Sequence, residues 1–377
     1  MSAIQKIYRH FDVTLQAITP LHIGTGNVLM KGIDFIDDGK TTWRLDVDRI
    51  LADLWAPEFG NAHPAELLES IPQAERDQYV IYSAKGAIRA QQTSSKLREC
   101  IKTPDYQPYI PGSSLKGALR TALAWAGWPE QVKAVQANDI RKSKSWAGQT
   151  LEDRLFRPKR SDKDGPNKDL LRALHIGDLH LQTEGAVWQI LNIQVAKSSS
   201  FDSPIEVEAI GADTVFAGRL TIDDHLFQPQ TDSVLGLHSL EPWIVTELAQ
   251  RVNQHTLDLL DRRIARSSRM QQNGAANVRR FFTDLRGYVT GLPANKCVIC
   301  LGWGGGWDSK TFGSRLQGNP AFFEKEIIDR FKLHRGKVAR KAGDPFPRTQ
   351  RLIVRQRDNA TTIRGALGWC LLTLVPH

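Results

Sequence analysis

The clearest regularity of the chain is an alternation of apolar and polar residues that indicates β-strands. Residues 11–19 alternate throughout, as Phe-Asp-Val-Thr-Leu-Gln-Ala-Ile-Thr, which is the period-two pattern of a strand with one buried face. Residues 35–48 predict a hairpin that turns at 37–40. Further strands are predicted over 173–183, 187–196, 214–223, 298–303 and 363–374.

Helical patterns occupy much of the chain between these strands. A helix begins near residue 48, the stretch 66–102 is predicted to be mostly helical, and 240–264 has the apolar spacing of one long helix. The charged and turn-forming stretch 143–169 predicts an exposed, mobile insertion. Strands in distant pieces, joined by helices and long insertions, predict an α+β fold with an antiparallel sheet covered on one face.

Residues 109–123 predict a helix with a distinctive start. Leu115, Leu119 and Leu123 recur at four-residue spacing and form a stripe that we expect to be buried. The sequence Ile-Pro-Gly at 110–112 ends an extended segment before it. Ser113 or Ser114 can then cap the helix by accepting its first free N–H groups.

The same helix start has the features of an anion-binding site. Lys116 and Arg120 lie four residues apart and share a face that differs from the leucine stripe. Gly112 and Gly117 keep side chains away from a ligand, and the helix dipole is positive at this end. These features favour a bound phosphate. A Ser-capped amphipathic helix with a solvated lysine and arginine is the equally simple alternative.

A second glycine-rich stretch follows the strand predicted over 298–303. Residues 302–306 are Gly-Trp-Gly-Gly-Gly, and Trp307 comes next. Glycine lets a backbone approach a ligand closely, and an indole offers a face on which a base can stack, so the stretch suits a nucleotide chain. A bulged turn with both tryptophans packed in the core is the alternative.

The formal net charge of +9 is unevenly distributed. Residues 330–357 contain ten lysines and arginines against one acid, 262–286 contain seven against one, and 85–120 contain seven against two. The remainder of the chain is acidic overall. Because such segregation adds self-repulsion to the folded protein, it favours a surface for a polyanion over three separately solvated faces.

Cysteine usage and motif content argue against several classes of protein. Four cysteines, two of them spaced as Cys297 and Cys300 inside an apolar run, are too few for a disulfide framework and have no second pair of zinc ligands. We therefore expect no metal and no cofactor, and a P-loop motif is absent. No apolar run reaches the roughly 20 residues that span a bilayer, and the first residues lack a signal-peptide pattern, which predicts a cytoplasmic protein without a membrane partner.

Three motifs, taken in order, resemble the RAMP superfamily of CRISPR effector proteins. They are Thr-Pro-Leu-His-Ile-Gly-Thr-Gly at 19–26, Ile-Pro-Gly-Ser-Ser-Leu-Lys-Gly-Ala-Leu-Arg at 110–120, and the glycine-rich loop 302–306. The resemblance covers residues 11–310 and implies an RRM-like (ferredoxin-like) antiparallel sheet core that binds guide RNA. It also implies that residues 1–377 form one RAMP domain. Insertions would interrupt its core near 50–105, 131–172, 225–290 and 310–360.

Within the superfamily, the chain is similar to the type III-A subunit that caps the 3′ end of the guide RNA. The similarity rests on the length, on 45–51, on 204–208 and on Gly-Gly-Gly-Trp-Asp-Ser-Lys at 304–310. It implies a non-catalytic, crRNA-binding and filament-capping subunit of an antiviral type III effector complex, involved in crRNA 3′-end maturation. The implied partners are guide RNA and other RAMP subunits, with target RNA and host nucleases as further candidates.

The resemblance also assigns contacts with the guide RNA, on two loops and on the predicted helix start. Carried over position by position, the RNA-binding residues are Gly24, Gly26, Gly112, Ser113, Ser114, Lys116, Arg120, Gly302, Trp303, Gly304, Gly305, Gly306 and Trp307.

An endoribonuclease is the competing interpretation. In backbone-type RAMP subunits a single Asp shortly after the HIGxG element cleaves target RNA, and Asp34 has the comparable position here. Phe35 and Ile36 follow it, where the cleaving subunits have a small residue and a proline. An Asp that begins a hairpin strand is more often a turn or cap residue. His22 is the other catalytic candidate, although a lone His beside a strand is usually structural.

Overall fold

The strands form two β-sheets. The computed structural model describes residues 7–89, 95–159, 166–185, 187–202, 204–333, 343–357 and 360–377. In chain order the strands are β1 (Tyr8–Ala17), β2 (Gly24–Met30), β3 (Phe35–Asp37), β4 (Thr41–Leu45), β5 (Val80–Lys85), β6 (Lys96–Cys100), β7 (Tyr109–Ile110), β8 (Leu174–Ile176), β9 (Leu179–Leu181), β10 (Trp188–Ala196), β11 (Ile205–Ile210), β12 (Val215–Asp223), β13 (Lys296–Cys300), β14 (Gln350–Arg357), β15 (Ala360–Gly365) and β16 (Trp369–Pro376).

Helices connect and cover these strands. In chain order they are α1 (Val47–Leu54), α2 (Pro64–Glu69), α3 (Gly112–Gln131), α4 (Gln149–Phe156), α5 (Pro229–Leu235), α6 (Glu241–Val245), α7 (Leu248–Ser267), α8 (Ala275–Thr290), α9 (Gly306–Lys310) and α10 (Pro320–Phe322), the last continuing into a π-helical segment, Phe323–Asp329. None of those described combines the length and the apolarity that crossing a lipid bilayer requires.

The first sheet is antiparallel and has β1 near its middle. Its strand order is β13-β16-β1-β12-β9-β7, and β8 also pairs with β12. The alternation predicted from the sequence is confirmed, because Val13, Leu15 and Ala17 are buried while the intervening residues are exposed. The leucine stripe of α3 is also confirmed: Leu115, Leu119 and Leu123 are fully buried and belong to the same core as β1.

The second sheet was not predicted. Its order is β2-β6-β11-β10-β5-β4-β3, and β14 pairs with both β10 and β15. The contacts of β6 with β11 and of β5 with β10 are parallel, whereas the other pairings are antiparallel. The α+β class is therefore confirmed, but the expectation of a single antiparallel sheet is wrong. Sequence patterns mark strands without fixing which strands share a sheet.

Several predicted boundaries are also wrong. The stretch 66–102 is mostly extended and 3₁₀-helical after α2, and it supplies β5 and β6. The stretch 143–169 is not simply exposed, because α4 buries Leu151, Leu155 and Phe156 in the main core; residues 160–165 lie outside the described residues. The predicted strand 363–374 is interrupted before β16 at Gly368, whose φ of +87° only glycine adopts readily.

The cysteines are structural. Cys100, Cys297, Cys300 and Cys370 are all buried and free, as expected from the apolar runs in which they lie. Burial raises the pKa of both Cys297 and Cys300, so these thiols are protonated and unreactive at neutral pH.

Candidate nucleic-acid interface

An open groove along one edge of the second sheet brings together parts of all three sequence motifs. The loop into β2 contributes Gly24 and Gly26, α3 contributes Ser114, and the glycine-rich loop contributes Gly302 and Trp303. These residues are up to 279 positions apart in sequence. The fold therefore joins elements that the sequence analysis could link only through a family resemblance.

Cations that sequence reasoning did not single out line the same groove. Lys96 and Arg98 project from β6 with exposed side chains, while Leu97 between them is buried. Lys310 at the end of α9 is also exposed and lines the groove. The alternation of charged and apolar residues at 96–98 was the available signal, in a stretch where the sequence analysis predicts a helix.

Glu99, the residue after Arg98, already forms hydrogen bonds and an ion pair within the protein. Glu99 accepts hydrogen bonds from the Thr25 hydroxyl at 3.2 Å and the Asn27 amide at 3.1 Å, and it pairs with Lys102 at 3.3 Å. Although burial raises the pKa of Glu99, the Lys102 charge and these hydrogen bonds hold it below its ordinary value. Glu99 thus fixes the start of β2. Glu206 is a second acid that lines the groove, and burial raises its pKa to about 7.

Two arginine guanidinium groups lie over the ring of Trp303. Arg98 lies 5.3 Å and Arg351 lies 4.1 Å from the ring centroid, distances at which cation–π attraction is favourable. Arg351 also donates to the Trp303 carbonyl at 3.1 Å. Burial and the neighbouring Arg98 lower the pKa of Arg351. Trp303 therefore positions two arginines at the groove.

The turn at Gly302 joins the glycine-rich loop to the first motif through a hydrogen bond and a close backbone contact. Trp303 N donates to the His22 carbonyl at 2.9 Å. Gly302 has a φ of +71°, and a Cβ at this position would lie 2.3 Å from that same carbonyl oxygen. Glycine is required here by backbone conformation and by a close approach of two loops.

Replacing Gly302 by alanine is expected to lower the free energy of unfolding by about 1–3 kcal/mol, because both the left-handed φ and the backbone clash must be relieved. Urea unfolding followed by tryptophan fluorescence measures the change. Gly117→Ala is the matched control, since Gly117 lies in α3 with open space around it. The control should be neutral or stabilising. Equal midpoints for the two variants would contradict the prediction.

His22 lies between these loops and lines the groove. Its ring is buried, and Nδ1 lies 2.6 Å from the backbone carbonyl of Glu208. Burial is the main cause that lowers the pKa of His22, so the ring is neutral with Nδ1–H as the donor. A Cβ on Gly24 would lie 3.0 Å from Nε2, which shows that the first motif packs closely around the imidazole.

The start of α3 differs from the prediction. The helix begins at Gly112 after Pro111, and no side chain caps it, so Ser113 and Ser114 occupy the first turn instead of the cap position. Gly112 N donates to the Asp178 carboxylate at 2.8 Å, and a Cβ on Gly112 would lie 2.2 Å from the Ile176 carbonyl. Asp178 therefore supplies the negative charge that a phosphate was expected to bring. Ser114 still faces the groove, while Ser113 is exposed.

Lys116 and Arg120 point away from the groove into contacts within the protein. Lys116 Nζ donates to the Leu174 carbonyl at 2.7 Å, and burial lowers its pKa. Arg120 pairs with Glu152 and with Asp169, each at 2.9 Å. These side chains stabilise the packing of α3, and we do not include them in the proposed RNA surface.

The remainder of the glycine-rich loop is used for packing. Gly304 and Gly305 are buried, and a Cβ on Gly304 would lie 2.2 Å from the Leu367 side chain. Trp307 packs edge-to-face on Phe323 and Phe346, at centroid distances of 5.9 and 4.9 Å. Gly306 and Trp307, like the two buried glycines, do not line the groove. For this loop, the core-packing alternative describes all but its first two residues.

Asp34 also lies outside the residues that line the groove. Its carboxylate accepts from Met30 N at 2.8 Å and lies 3.5 Å from the Arg44 guanidinium. These contacts close the turn between β2 and β3, which is the structural role that the sequence offered as the alternative to catalysis.

Comparisons with known proteins identify a superfamily and several relatives. A family model described as the RAMP superfamily matches residues 14–241. The chain is 24% identical over 401 residues to "CRISPR system Cms protein Csm5" of Methanocaldococcus jannaschii, covering 97% of this chain and 89% of that protein. It is 25% identical over 137 residues to the protein of the same name from Streptococcus thermophilus, covering 31% of this chain and 38% of that one.

Solved structures show a shared fold. One chain of a "Csm-crRNA-target RNA ternary complex in type III-A CRISPR-Cas system" superposes with a TM-score of 0.64 and 24% identity, covering 97% of this chain and 100% of that chain. "T.onnurineus Csm5" superposes with a TM-score of 0.59 and 23% identity, covering 95% and 99%. The overall arrangement of both sheets is therefore one that occurs in other proteins.

Proposed function

Since the chain belongs to the RAMP superfamily, with the family model matching 14–241, we propose that it is the crRNA-binding, filament-capping subunit of a type III-A CRISPR ribonucleoprotein. Its Csm5-named relative from Methanocaldococcus jannaschii spans nearly the whole chain, and a chain of similar fold is part of a complex with crRNA and target RNA. Guide RNA and other subunits of such a complex are its partners, and target RNA and host nucleases are further candidates.

The groove is the observation that carries this proposal. Lys96, Arg98 and Lys310 line the same groove as the exposed Gly24 and Gly26 of β2, the strand that pairs with β6. Such a surface suits a sugar–phosphate backbone, because lysine and arginine neutralise phosphates while glycine allows close approach. Sequence choice is then left to base pairing by the guide, and the protein binds RNA with little sequence preference.

We also propose that the first sheet is the RRM-like core of the family. In chain order, β1, α3, β9, β12, α7 and β16 follow the β-α-β-β-α-β succession of a ferredoxin-like unit. In space, β16-β1-β12-β9 places the first and third strands in the centre, with β13 added outside. The second sheet then carries the RNA groove at the edge formed by β2 and β6.

The subunit itself is non-catalytic in this proposal. General acid–base cleavage of RNA requires a free side chain beside the 2′-hydroxyl or the leaving oxygen. Asp34 is held in its turn by Met30 N and Arg44, and His22 is held by the Glu208 carbonyl. Maturation of the crRNA 3′ end is then a protective role, in which the capping subunit sets where a separate nuclease stops.

Assembling the effector complex with and without this chain tests the proposal. We expect crRNA to copurify in both cases, with a sharp 3′ terminus only when the chain is present, because a bound groove shields the last phosphates from nucleases. Sequencing of the copurified RNA ends measures this. Identical 3′ ends in the two preparations would refute the capping role, and loss of a specific target cut in an Asp34→Ala complex would refute the non-catalytic role.

A further inference from the structure

The β14–β15 hairpin has one buried face and one arginine-bearing face. Leu352 on β14 and Ile363 on β15 are buried in the cluster that α8 forms with Val278 and Phe282. On the other side of β14, Arg351 is half-buried and Arg355 is exposed. Two arginines four residues apart on one strand project from the same face, about 13 Å from each other along the strand.

This arginine-bearing face is continuous with the groove. β14 is hydrogen-bonded to β10, in the sheet that contains β6 and β11. Arg98 on β6 is paired with Val207 on β11, and paired residues project to the same side of a sheet. Val207 belongs to an apolar patch that also includes Ile193, Ile353 and Trp303. Trp303 therefore lies on the sheet between two groups of arginines and contacts one guanidinium from each side, Arg98 and Arg351.

Three arginines on this route have no carboxylate partner within the part of the chain that the structure describes. Within the described residues, Arg98, Arg351 and Arg355 form no ion pair with a carboxylate. The Arg351 Nε is moreover buried without a hydrogen-bond acceptor, although the guanidinium is a strong donor. By contrast, Arg262, Arg266 and Arg286 on the neighbouring helices each pair with an aspartate. An external anion can pair with the exposed Arg98 and Arg355 guanidinium groups.

We propose that the arginine-bearing face of the β14–β15 hairpin extends the RNA path beyond the groove, so that a single strand runs from Lys96 and Arg98 past Trp303 to Arg351 and Arg355. The proposal rests on the function proposed above and names the route that the RNA takes. RNA fits better than an acidic protein because an aromatic ring flanked by guanidinium groups suits alternating bases and phosphates.

The test compares RNAs of two lengths bound to the full chain, since only a longer strand can reach the hairpin. Fluorescence anisotropy is measured with single-stranded oligonucleotides of about 6 and about 16 nucleotides, which bracket the usual size of such sites. For Arg355→Gln, we expect binding of the longer RNA to weaken roughly three- to tenfold at low salt and that of the shorter RNA to stay unchanged. Arg280→Gln is the control, because Arg280 is exposed on α8, which covers the opposite face of the hairpin.

The results of this test distinguish a wrong RNA route from a wrong proposed function. If Arg355→Gln and Arg280→Gln bind both RNAs alike while Lys96→Gln with Arg98→Gln weakens both, the groove binds RNA and the extended route is wrong. If the groove variant also has no effect, the proposed function fails. Loss of a protein subunit from the Arg355→Gln complex with unchanged RNA affinity would overturn the route in favour of a protein partner.

Discussion

Replacing Lys96 and Arg98 together by glutamine is expected to weaken single-stranded RNA binding about 30-fold at low salt. Each exposed contact with a phosphate contributes roughly 1 kcal/mol, and two such losses correspond to that factor. Both residues line the groove with exposed side chains. Arg98 additionally contacts the Trp303 ring, so its loss also loosens the indole that the groove presents.

The salt dependence provides a second, independent measure of the same variant. For single-stranded nucleic acid, the slope of log affinity against log salt is about −0.7 for each phosphate contacted, so the double variant should have a slope shallower by about 1.4. Arg279→Gln with Arg280→Gln removes the same charge from the exposed side of α8 and serves as the control. An equal loss of affinity in both variants would mean that net charge, and not the groove, determines binding.

The parts of the fold that the sequence predicted best depend on local patterns. The alternation of 11–19 and the leucines of α3 are short-range features, and each has one buried face that the pattern specifies directly. The hairpin turn at 37–40 is equally local, since Asp38 accepts hydrogen bonds from the N–H groups of Lys40 and Thr41.

The contacts that the sequence did not predict involve partners far away in the chain. Arg120 was expected to face a phosphate, but Glu152 and Asp169, 32 and 49 residues further on, bind its guanidinium. Gly112 was expected to admit a ligand, and in this structure it admits the Ile176 carbonyl at the end of β8. Each residue makes the type of contact that its chemistry predicts. Its partner in this structure is a carboxylate or a carbonyl group of the chain itself.

The residues of the groove also lie far apart in sequence and meet only in the folded chain. Gly24, Ser114 and Gly302 were linked only by resemblance, and their meeting depends on the Trp303 N to His22 carbonyl hydrogen bond and on burial of the His22 ring. Arg98 and Arg351 were seen only as members of basic stretches. Only the second sheet shows that these two arginines lie close together. In this sheet β14 pairs with β10, and both side chains contact the Trp303 indole.

Replacing Glu208 by glutamine is expected to be the most destabilising change at this site, by about 3–5 kcal/mol, the usual cost of removing one partner of a buried ion pair. The Glu208 residue is 1% exposed. Its carboxylate accepts from the Lys102 ammonium at 2.7 Å, from Cys100 N at 2.9 Å and from the Tyr82 hydroxyl. Glutamine keeps the shape but leaves the Lys102 charge with only Glu99 as a carboxylate partner.

A stability loss of this size is a large share of the roughly 5–15 kcal/mol that holds a domain folded, and urea unfolding midpoints measure it directly. Asp261→Asn is the control, because it breaks the exposed Arg286 pair and should leave the midpoint nearly unchanged. If Glu208→Gln had the same urea midpoint as the control, the Lys102–Glu208 ion pair would add little to the free energy of unfolding.

Adding Lys102→Met to Glu208→Gln distinguishes a buried charge from lost packing. If the unpaired ammonium causes the instability, its removal should restore a large part of the unfolding free energy, because a neutral pair has no buried charge to desolvate. The methionine would also keep an apolar side chain near Tyr82 and Trp188, whose rings lie 5.4 and 5.0 Å from the present ammonium. No recovery in the double variant would instead assign the loss to the hydrogen bonds of Cys100 N and Tyr82. The Cys100 N bond anchors β6, the strand that carries Lys96 and Arg98 in the proposed RNA surface.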